Sequence, residues 1–410
     1  MLKLPSPSTK RIALRVTPAA ERAIRQGHPW IFEQAIREQS HVGKAGDLAV
    51  IFDKKRRFLA IGLYDPNTTI RVRILQRLKP AAINKEWFKA KLDTTSQLRA
   101  PLRDSPPKRL TNGYRLAHGE NDGLPGLVID RYAETYVIKL YTPAWIPHLN
   151  DILAALGDIF PAERIVLRLG GSLKENKFNL EDGMVLQGEA LTAPIIFSEN
   201  GLRFESDPVH GQKTGFFLDQ RENRTRVEKL AKGKRVLNAF SYTGGFSVYA
   251  ARGGAKEVIS LDASNVATEV AERNFKLYQS ASIAESCIHE CVTGDAFDAM
   301  SKMKKEGRLF EMVIIDPPSF AHKKSQRDAA INAYKKLTRI GLGILAPNGI
   351  LVQASCSSRV DSDLFFNAIN IATQQVGRRL KEIERSSHAL DHPIDFHEGE
   401  YLKCLFAIVP

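Results

Sequence analysis

Arg235-Val236-Leu237-Asn238-Ala239-Phe240-Ser241-Tyr242-Thr243-Gly244-Gly245-Phe246 decides the fold of this chain. Arg235–Ala239 reads as a short buried strand, and the glycine pair as the turn into a helix over Phe246–Arg252. Gly244 and Gly245 remove side chains where the backbone must turn tightly, and they let a ligand approach. The helix that follows offers unpaired N–H groups and the positive end of its dipole. Downstream the same alternation repeats. Strands are expected at Glu257–Leu261, Ile288–Val292, Met312–Ile315 and Ile350–Ala354. Helices are expected at Asn265–Tyr278, Ala296–Lys304, Ala329–Leu345 and Ser362–Val376. Such alternation gives a parallel sheet with helices on both faces, and ligands bind at the carboxyl ends of its strands.

The strand ends carry the chemistry. Asp262 follows the glycine turn by about twenty residues, where a carboxylate can accept both ribose hydroxyl hydrogens of an adenosine. Asp295, in Gly294-Asp295-Ala296, can reach an adenine amino group. A turn glycine pair with a helix-capping aspartate is the plainer alternative. A nicotinamide cofactor wants G-x-G-x-x-G, a spacing this loop lacks, and no triphosphate-binding G-x-x-x-x-G-K-[ST] is present. The fourth strand ends in Asp316-Pro317-Pro318-Ser319-Phe320. Two prolines stiffen an extended backbone whose carbonyls can receive a planar nitrogen base, with Phe320 as a stacking face. The fifth strand ends in Ala354-Ser355-Cys356-Ser357. A cysteine there is a plausible nucleophile, with a buried small hydrophobe as the alternative. Carbon 5 of cytosine is too weak a nucleophile to take a methyl group directly. A thiolate adding at carbon 6 activates it, and Asp316 can stabilise the adduct at the ring nitrogen. The sequence identifies no base for the carbon 5 proton. The stretch His210–Arg221 mixes aromatics, an amide and charges without amphipathic order, which is unusual for a plain connection.

Toward the N-terminus the character changes. Residues 1–110 hold 23 Lys+Arg against 9 Asp+Glu, a net +14, and the remainder holds 36 against 37, a net −1. A basic module joined to a neutral one suggests a polyanion-binding part and a chemistry part. Short β-rich runs at Leu48–Phe52, Phe58–Leu63 and Ile70–Leu75, with a short helix over Ala19–Gln26, point to a small β domain over 1–80. A central domain over 81–190 follows, with helices at Glu86–Leu98 and Ile146–Phe160 and strands at Tyr136–Tyr141, Ile165–Leu169 and Met184–Ala190. The catalytic domain then occupies 191–410, opening on an Asn200-Gly201 hairpin signal. Cys287, Cys291, Cys356 and Cys404 are sparse, which favours a reducing cytoplasm over a disulfide framework, and no second ligand pair supports a metal. No apolar run approaches a membrane span, and Met1–Thr17 lacks a signal core.

Taken together, Gly27-His28-Pro29-Trp30, Asn121-Asp122-Gly123-Leu124-Pro125-Gly126, Lys213–Arg221, Tyr242-Thr243-Gly244-Gly245-Phe246-Ser247, Asp316-Pro317-Pro318 and Ser355-Cys356-Ser357 span nearly the whole chain in order. In that combination the sequence resembles the RlmI-type family of bacterial class I methyltransferases, which make 5-methylcytosine in large-subunit ribosomal RNA. The resemblance implies an α/β architecture: a Rossmann-like class I methyltransferase domain preceded by a β-rich PUA domain and a small central α/β domain. It implies S-adenosylmethionine held by Asn238, Tyr242, Thr243, Gly244, Asp262, Asp295 and Asp316, with Phe217, Asp219, Gln220 and Arg221 closing over it. It assigns catalysis to Cys356 and Asp316, and substrate contact to Pro317, Pro318 and Phe320. Ser319-Phe320 fits the family pattern loosely, and Asn238 replaces the acid common in class I enzymes. The expected partners are RNA, specifically large-subunit ribosomal RNA, and a second copy in a homodimer, with no membrane. Relatives with similar Asp-Pro-Pro motifs methylate other atoms, so transfer to an exocyclic amine such as that of guanine stays an alternative. A nucleic-acid-binding protein with a degenerate enzyme domain and, more distantly, a nicotinamide dehydrogenase are the others.

Overall fold

The structure, a computed structural model, describes residues 4–173, 178–279 and 287–410, so Met1–Lys3 of the N-terminal stretch lie outside it. The chain divides into two compact units. The first holds residues 1–201, 206–216 and 390–396, and the second holds 202–205, 217–389 and 397–410.

The first unit contains two sheets. Strands β1 (Ile12–Val16), β2 (Trp30–Phe32), β3 (Ile36–Gln39), β4 (Leu48–Phe52), β5 (Phe58–Tyr64) and β6 (Ile70–Arg77) pair in the order β2-β6-β5-β4-β1-β3. Between β1 and β2 sits α1 (Pro18–Arg25). Thr17 caps it by accepting the Ala20 N–H, and Pro18 occupies a first-turn position that needs no N–H. The second sheet follows α2 (Lys85–Leu98) and the single-turn α3 (Ala100–Arg103). It is built from β7 (Gly113–His118), β8 (Leu127–Tyr132), β9 (Thr135–Leu140), β10 (Arg164–Leu169) and β11 (Val185–Gln187), in the order β11-β10-β9-β8-β7. The helix expected over Ile146–Phe160 is in fact a 3₁₀ stretch, Pro143–His148, leading into α4 (Leu149–Ile159). Pro147 carries no N–H, so the α-helical ladder starts only after it.

Residue 80 separates the two sheets but not their interiors. Leu48, Ile61, Leu63 and Leu75 of the first sheet share one core cluster with Phe88, Ile138, Trp145 and Leu167. The Asn121–Gly126 motif has a structural task within this unit. Arg99 is fully buried and makes two parallel bonds to Asp122, of 2.9 and 2.6 Å, while Asp122 also accepts the His118 N–H at 2.6 Å. Arg99 also donates to the carbonyls of Arg115 and Asp391. Gly123 and Gly126 take left-handed φ values of 72° and 77°, which let the turn close around the pair.

Strands β12 (Ile195–Glu199) and β13 (Leu202–Ser206) flank Asn200 and Gly201, both at positive φ as an Asn-Gly turn demands. In the second unit α5 (Arg221–Leu230) precedes β14 (Arg235–Ala239), α6 (Gly245–Arg252), β15 (Glu257–Asp262), α7 (Asn265–Gln279) and β16 (Ile288–Thr293). Then come α8 (Ala296–Lys305), β17 (Phe310–Ile315), α9 (Arg327–Gly343), β18 (Leu345–Ser355), α10 (Ser362–Gln375), β19 (Lys381–Ser386) and β20 (Lys403–Val409). The sheet order is β16-β15-β14-β17-β18-β20-β19. The pairs from β16 through β18 are parallel, and β20 runs antiparallel to both neighbours. Every expected strand and helix of the repeat is present, as the class I methyltransferase expectation requires. The two antiparallel strands were not anticipated. Lys381–Ser386 is charged and largely exposed, without an apolar pattern, and the repeat is already complete without β20. The order reverses between β14 and β17, which makes their carboxyl ends the switch point.

Removing one partner of a buried ion pair strands the other. Arg99→Met is therefore expected to cost about 3–5 kcal/mol in urea unfolding. An unchanged midpoint and slope would show that the pair contributes nothing to the first unit.

Candidate active site

The turn after β14 is backbone under strain. Phe240 and Tyr242 hold left-handed φ values of 61° and 46°, unusual for side chains of that size, and Gly244 follows at 77°. Three hydrogen bonds hold it. Ser241 N–H donates to the Leu261 carbonyl at 2.9 Å, Tyr242 N–H to Asp262 Oδ2 at 2.8 Å, and Gly244 N–H to the Ser241 carbonyl at 2.9 Å. Gly244 is required by packing: a Cβ there would sit 2.9 Å from that of Ala271 on α7. Besides the ligand role expected of it, the glycine answers a helix contact. Thr243 is buried, and its carbonyl accepts from Asn274 Nδ2 at 2.8 Å.

The residues at this turn fit an adenosyl and amino-acid ligand. Asn238 donates to Ser247 Oγ at 2.9 Å, but its Oδ1 is buried with no hydrogen-bond partner among the described residues. Ser241 Oγ, which the sequence reading passed over, is buried and equally without one. Buried polar atoms are rarely left in this state without a function. Asp262 accepts two backbone N–H groups, from Tyr242 and Ser264, which leaves lone pairs for further donors. Asp295 is exposed and caps α8, accepting the Asp298 N–H at 3.1 Å, so the plainer reading of this residue is realised too. Gly294 beside it has open space where a Cβ would stand.

The Phe217–Arg221 segment joins the same site. The Phe217 ring meets Tyr242 edge-on at 5.0 Å. Asp219 Oδ2 accepts from the Tyr401 hydroxyl at 2.8 Å. Gln220 Nε2 donates to Asp316 Oδ2 at 3.0 Å, Asn223 Nδ2 donates to Gln220 Oε1 at 2.6 Å, and Ser386 Oγ donates to Asn223 Oδ1 at 2.5 Å. Gln220 thus reaches Asp316, while Arg221 is buried beside Glu222 at 3.1 Å.

Asp316 and Cys356 end neighbouring strands, since Ile315 pairs with Gln353. Cys356 Sγ lies 3.9 Å from the Pro317 carbonyl oxygen, a weak contact that places the thiol on the Asp316-Pro317-Pro318 loop. Pro317 is buried and Pro318 exposed. Phe320 is half-buried, with its ring 5.2 Å from Tyr334 and 6.5 Å from Phe297. One of its faces is therefore committed to packing. Tyr334 bonds Ser355 Oγ at 2.8 Å, and burial raises its hydroxyl pKa. Lys403, also passed over in the sequence, is buried and donates to the Ser357 carbonyl at 2.5 Å. Burial lowers it to about 8. Its signal in the sequence was a lysine opening an otherwise apolar run, Lys403–Val409. Burial pushes the Cys287 and Cys291 thiols up to about 11, and that of Cys404 well above its ordinary value. No cluster of three or more metal-ligating side chains occurs among the described residues, and no helix is long and apolar enough to cross a membrane.

Residues 178–404 match the family of S-adenosylmethionine-dependent methyltransferases, and residues 14–77 match the PUA-like domain family. A ribosomal RNA large subunit methyltransferase of Deinococcus radiodurans is 48% identical over 409 residues, covering 99% of both chains. The ribosomal RNA large subunit methyltransferase I of Aliivibrio fischeri is 35% identical, covering 96% of this chain and 98% of its own. Among solved structures, SMU.776, a candidate methyltransferase complexed with SAH, superposes with a TM-score of 0.81 at 22% identity over 97% of this chain and 99% of its own.

Alkylation of the native protein tests the site's thiols. At pH 8 a thiol near 11 is thiolate in only about one molecule in a thousand. Brief iodoacetamide treatment and peptide mass mapping are therefore expected to find label mainly on Cys356. Predominant label on Cys287, Cys291 or Cys404 would contradict this picture of the site.

Proposed function

The chain belongs to the family of S-adenosylmethionine-dependent ribosomal RNA large subunit methyltransferases, and from that premise we propose that it forms 5-methylcytosine in large-subunit ribosomal RNA with Cys356 as nucleophile. The observation that carries the reading is the thiol on the Asp-Pro-Pro loop, beside the end of β17. S-adenosylmethionine, when bound, supplies the electrophilic methyl group. Asn238 and Ser241 offer unsatisfied oxygens to its amino-acid end, and Asp262 offers lone pairs to its ribose. Tyr242, Thr243 and Gly244 shape the turn between them, and Asp295 stands beside open space at Gly294 for the base. Phe217, Asp219, Gln220 and Arg221 close the pocket.

For the target base, Cys356 Sγ adds to carbon 6 as thiolate, which makes carbon 5 nucleophilic. Asp316, oriented by Gln220, supports the developing charge at the ring nitrogen, and the Pro317 and Pro318 backbone with Phe320 receives the ring. After methylation water takes the carbon 5 proton, the electron pair forms the carbon 5–carbon 6 double bond, and Cys356 leaves carbon 6 as thiolate. The basic surplus of residues 1–110, which include the PUA-like domain, grips the RNA backbone while the target nucleotide is unstacked. The free thiols agree with a cytoplasmic setting. We further divide the chain at residues 80 and 190 into RNA-binding, central and catalytic domains.

Cys356→Ala is expected to abolish methyl transfer while calorimetry with S-adenosylhomocysteine remains unchanged. Mass spectrometry of nucleosides from RNA methylated by the native chain is expected to yield 5-methylcytosine. A methylated guanine, or full activity in Cys356→Ala, would overturn the thiol mechanism. RNA affinity is expected to fall by roughly 0.7 log units per phosphate contact for each tenfold rise in salt. A salt-independent affinity would remove the basic region from RNA binding.

A further inference from the structure

Lys403 opens β20, with Ser355 of β18 as its register partner. Only 2% of the residue is exposed. A lysine ammonium carries three donors, yet this one makes a single hydrogen bond, to the Ser357 carbonyl, and pairs with no carboxylate among the described residues. An isolated buried charge is costly, and it persists where something compensates it. Ser357 directly follows Cys356, so the ammonium is anchored on the loop that bears the nucleophile. One polar contact of that thiol, the Pro317 carbonyl oxygen at 3.9 Å, presents negative charge to the sulfur and disfavours a thiolate.

We propose that Lys403 is a positioning residue that supplies the counter-charge under which Cys356 ionises. The ionisation transfers one proton from Sγ to water and changes no other bond. The inference rests on the reading of Cys356 as nucleophile. The surrounding charges do not offer a substitute. Glu400, Cys356 itself and Asp361, in that order, favour the protonated form of Lys403. Arg226 and Arg385 line a cavity of about 380 Å³ with it, beside Glu222 and His388, but they pair with Glu384 and Glu382. The Nε2 of His388 accepts the N–H groups of Tyr401 and Leu402, so that nitrogen carries no proton. Tyr334 interacts with both Cys356 and Asp316, and neither Tyr334 nor Asp316 brings positive charge. Burial holds Lys403 near pH 8, so its charge is full below that pH and fades above it. The thiolate it supports must therefore form on the acid side of an ordinary thiol.

The test is the pH dependence of Cys356 alkylation in the full-length protein, read by peptide mass mapping. In the native chain the midpoint is expected below the ordinary thiol value of ~8.5. Lys403→Met is expected to raise it by about one pH unit, a roughly tenfold slower reaction at pH 7, and Lys403→Arg to return most of that loss. Both variants should bind S-adenosylhomocysteine like the native chain. A native midpoint at or above the ordinary value overturns the proposal, and so does a folded Lys403→Met with an unmoved midpoint. Should Lys403→Met fail to fold, the native titration alone decides. The readout needs no RNA, so nucleosides lacking 5-methylcytosine beside an acid-shifted thiol would remove the proposed reaction and leave the ion pair standing.

Discussion

The parallel pairing of β14, β17 and β18 is the constraint on which the rest of the catalytic unit depends. Parallel strands end on the same edge of a sheet, and the reversal between β14 and β17 leaves that edge open. Three loops leave from it in close register: the strained turn after Ala239, the Asp-Pro-Pro loop after Ile315 and the cysteine loop after Ser355. A slip of one residue in either pairing would turn Asp316 or Cys356 to the opposite face. A slip would also pull Leu237, Ile259, Val313, Ile315 and Leu351, each fully buried in one core cluster, out of their packing.

The strained turn and the site's acid hold each other. Left-handed backbone at Phe240 and Tyr242 costs on the order of 1–3 kcal/mol per residue. Asp262 offsets part of that by taking the Tyr242 N–H, and the same bond fixes the carboxylate that stands ready for a ribose. Asp316 is treated in the same manner through Gln220, Asn223 and Ser386, a chain that runs from α5 to β19. The last strand pair of the sheet is therefore part of the site. Ser386 of β19, Tyr401 just before β20 and Lys403 of β20 reach the supports of Asp316, Asp219 and the cysteine loop in turn.

The sequence revealed what repeats and what is chemically marked. The alternation from Arg235 onward was legible because apolar strands and amphipathic helices differ in period, and the motifs stood out because glycine, proline and cysteine have few structural substitutes there. Three things escaped it. The packing demand that Ala271 places on Gly244 escaped it because a sequence does not say which neighbour comes close. The roles of Asn223 and Tyr401 depend on tertiary hydrogen bonds between residues far apart in the chain, and that of Ser241 on the burial of its hydroxyl. The Asn121–Gly126 motif was legible as a signature, but its physical reason, the closure of a turn around Arg99 and Asp122, lay in the fold.

Two buried cations of this protein show how structure and chemistry differ in their use of charge. Arg99 is fully enclosed and fully answered: its planar fork meets both oxygens of Asp122, and three carbonyls accept from its N–H groups. Such an ion is inert, because moving it or adding a second anion gains nothing. Lys403 is nearly as enclosed, but a single carbonyl meets it. A network evolved only for stability would place an apolar side chain in that position, since a half-satisfied buried ammonium is worse than none. Glu400 and Asp361 favour its charge without bonding it, and the thiol one residue from its hydrogen-bond acceptor is a further group that becomes an anion in the working cycle.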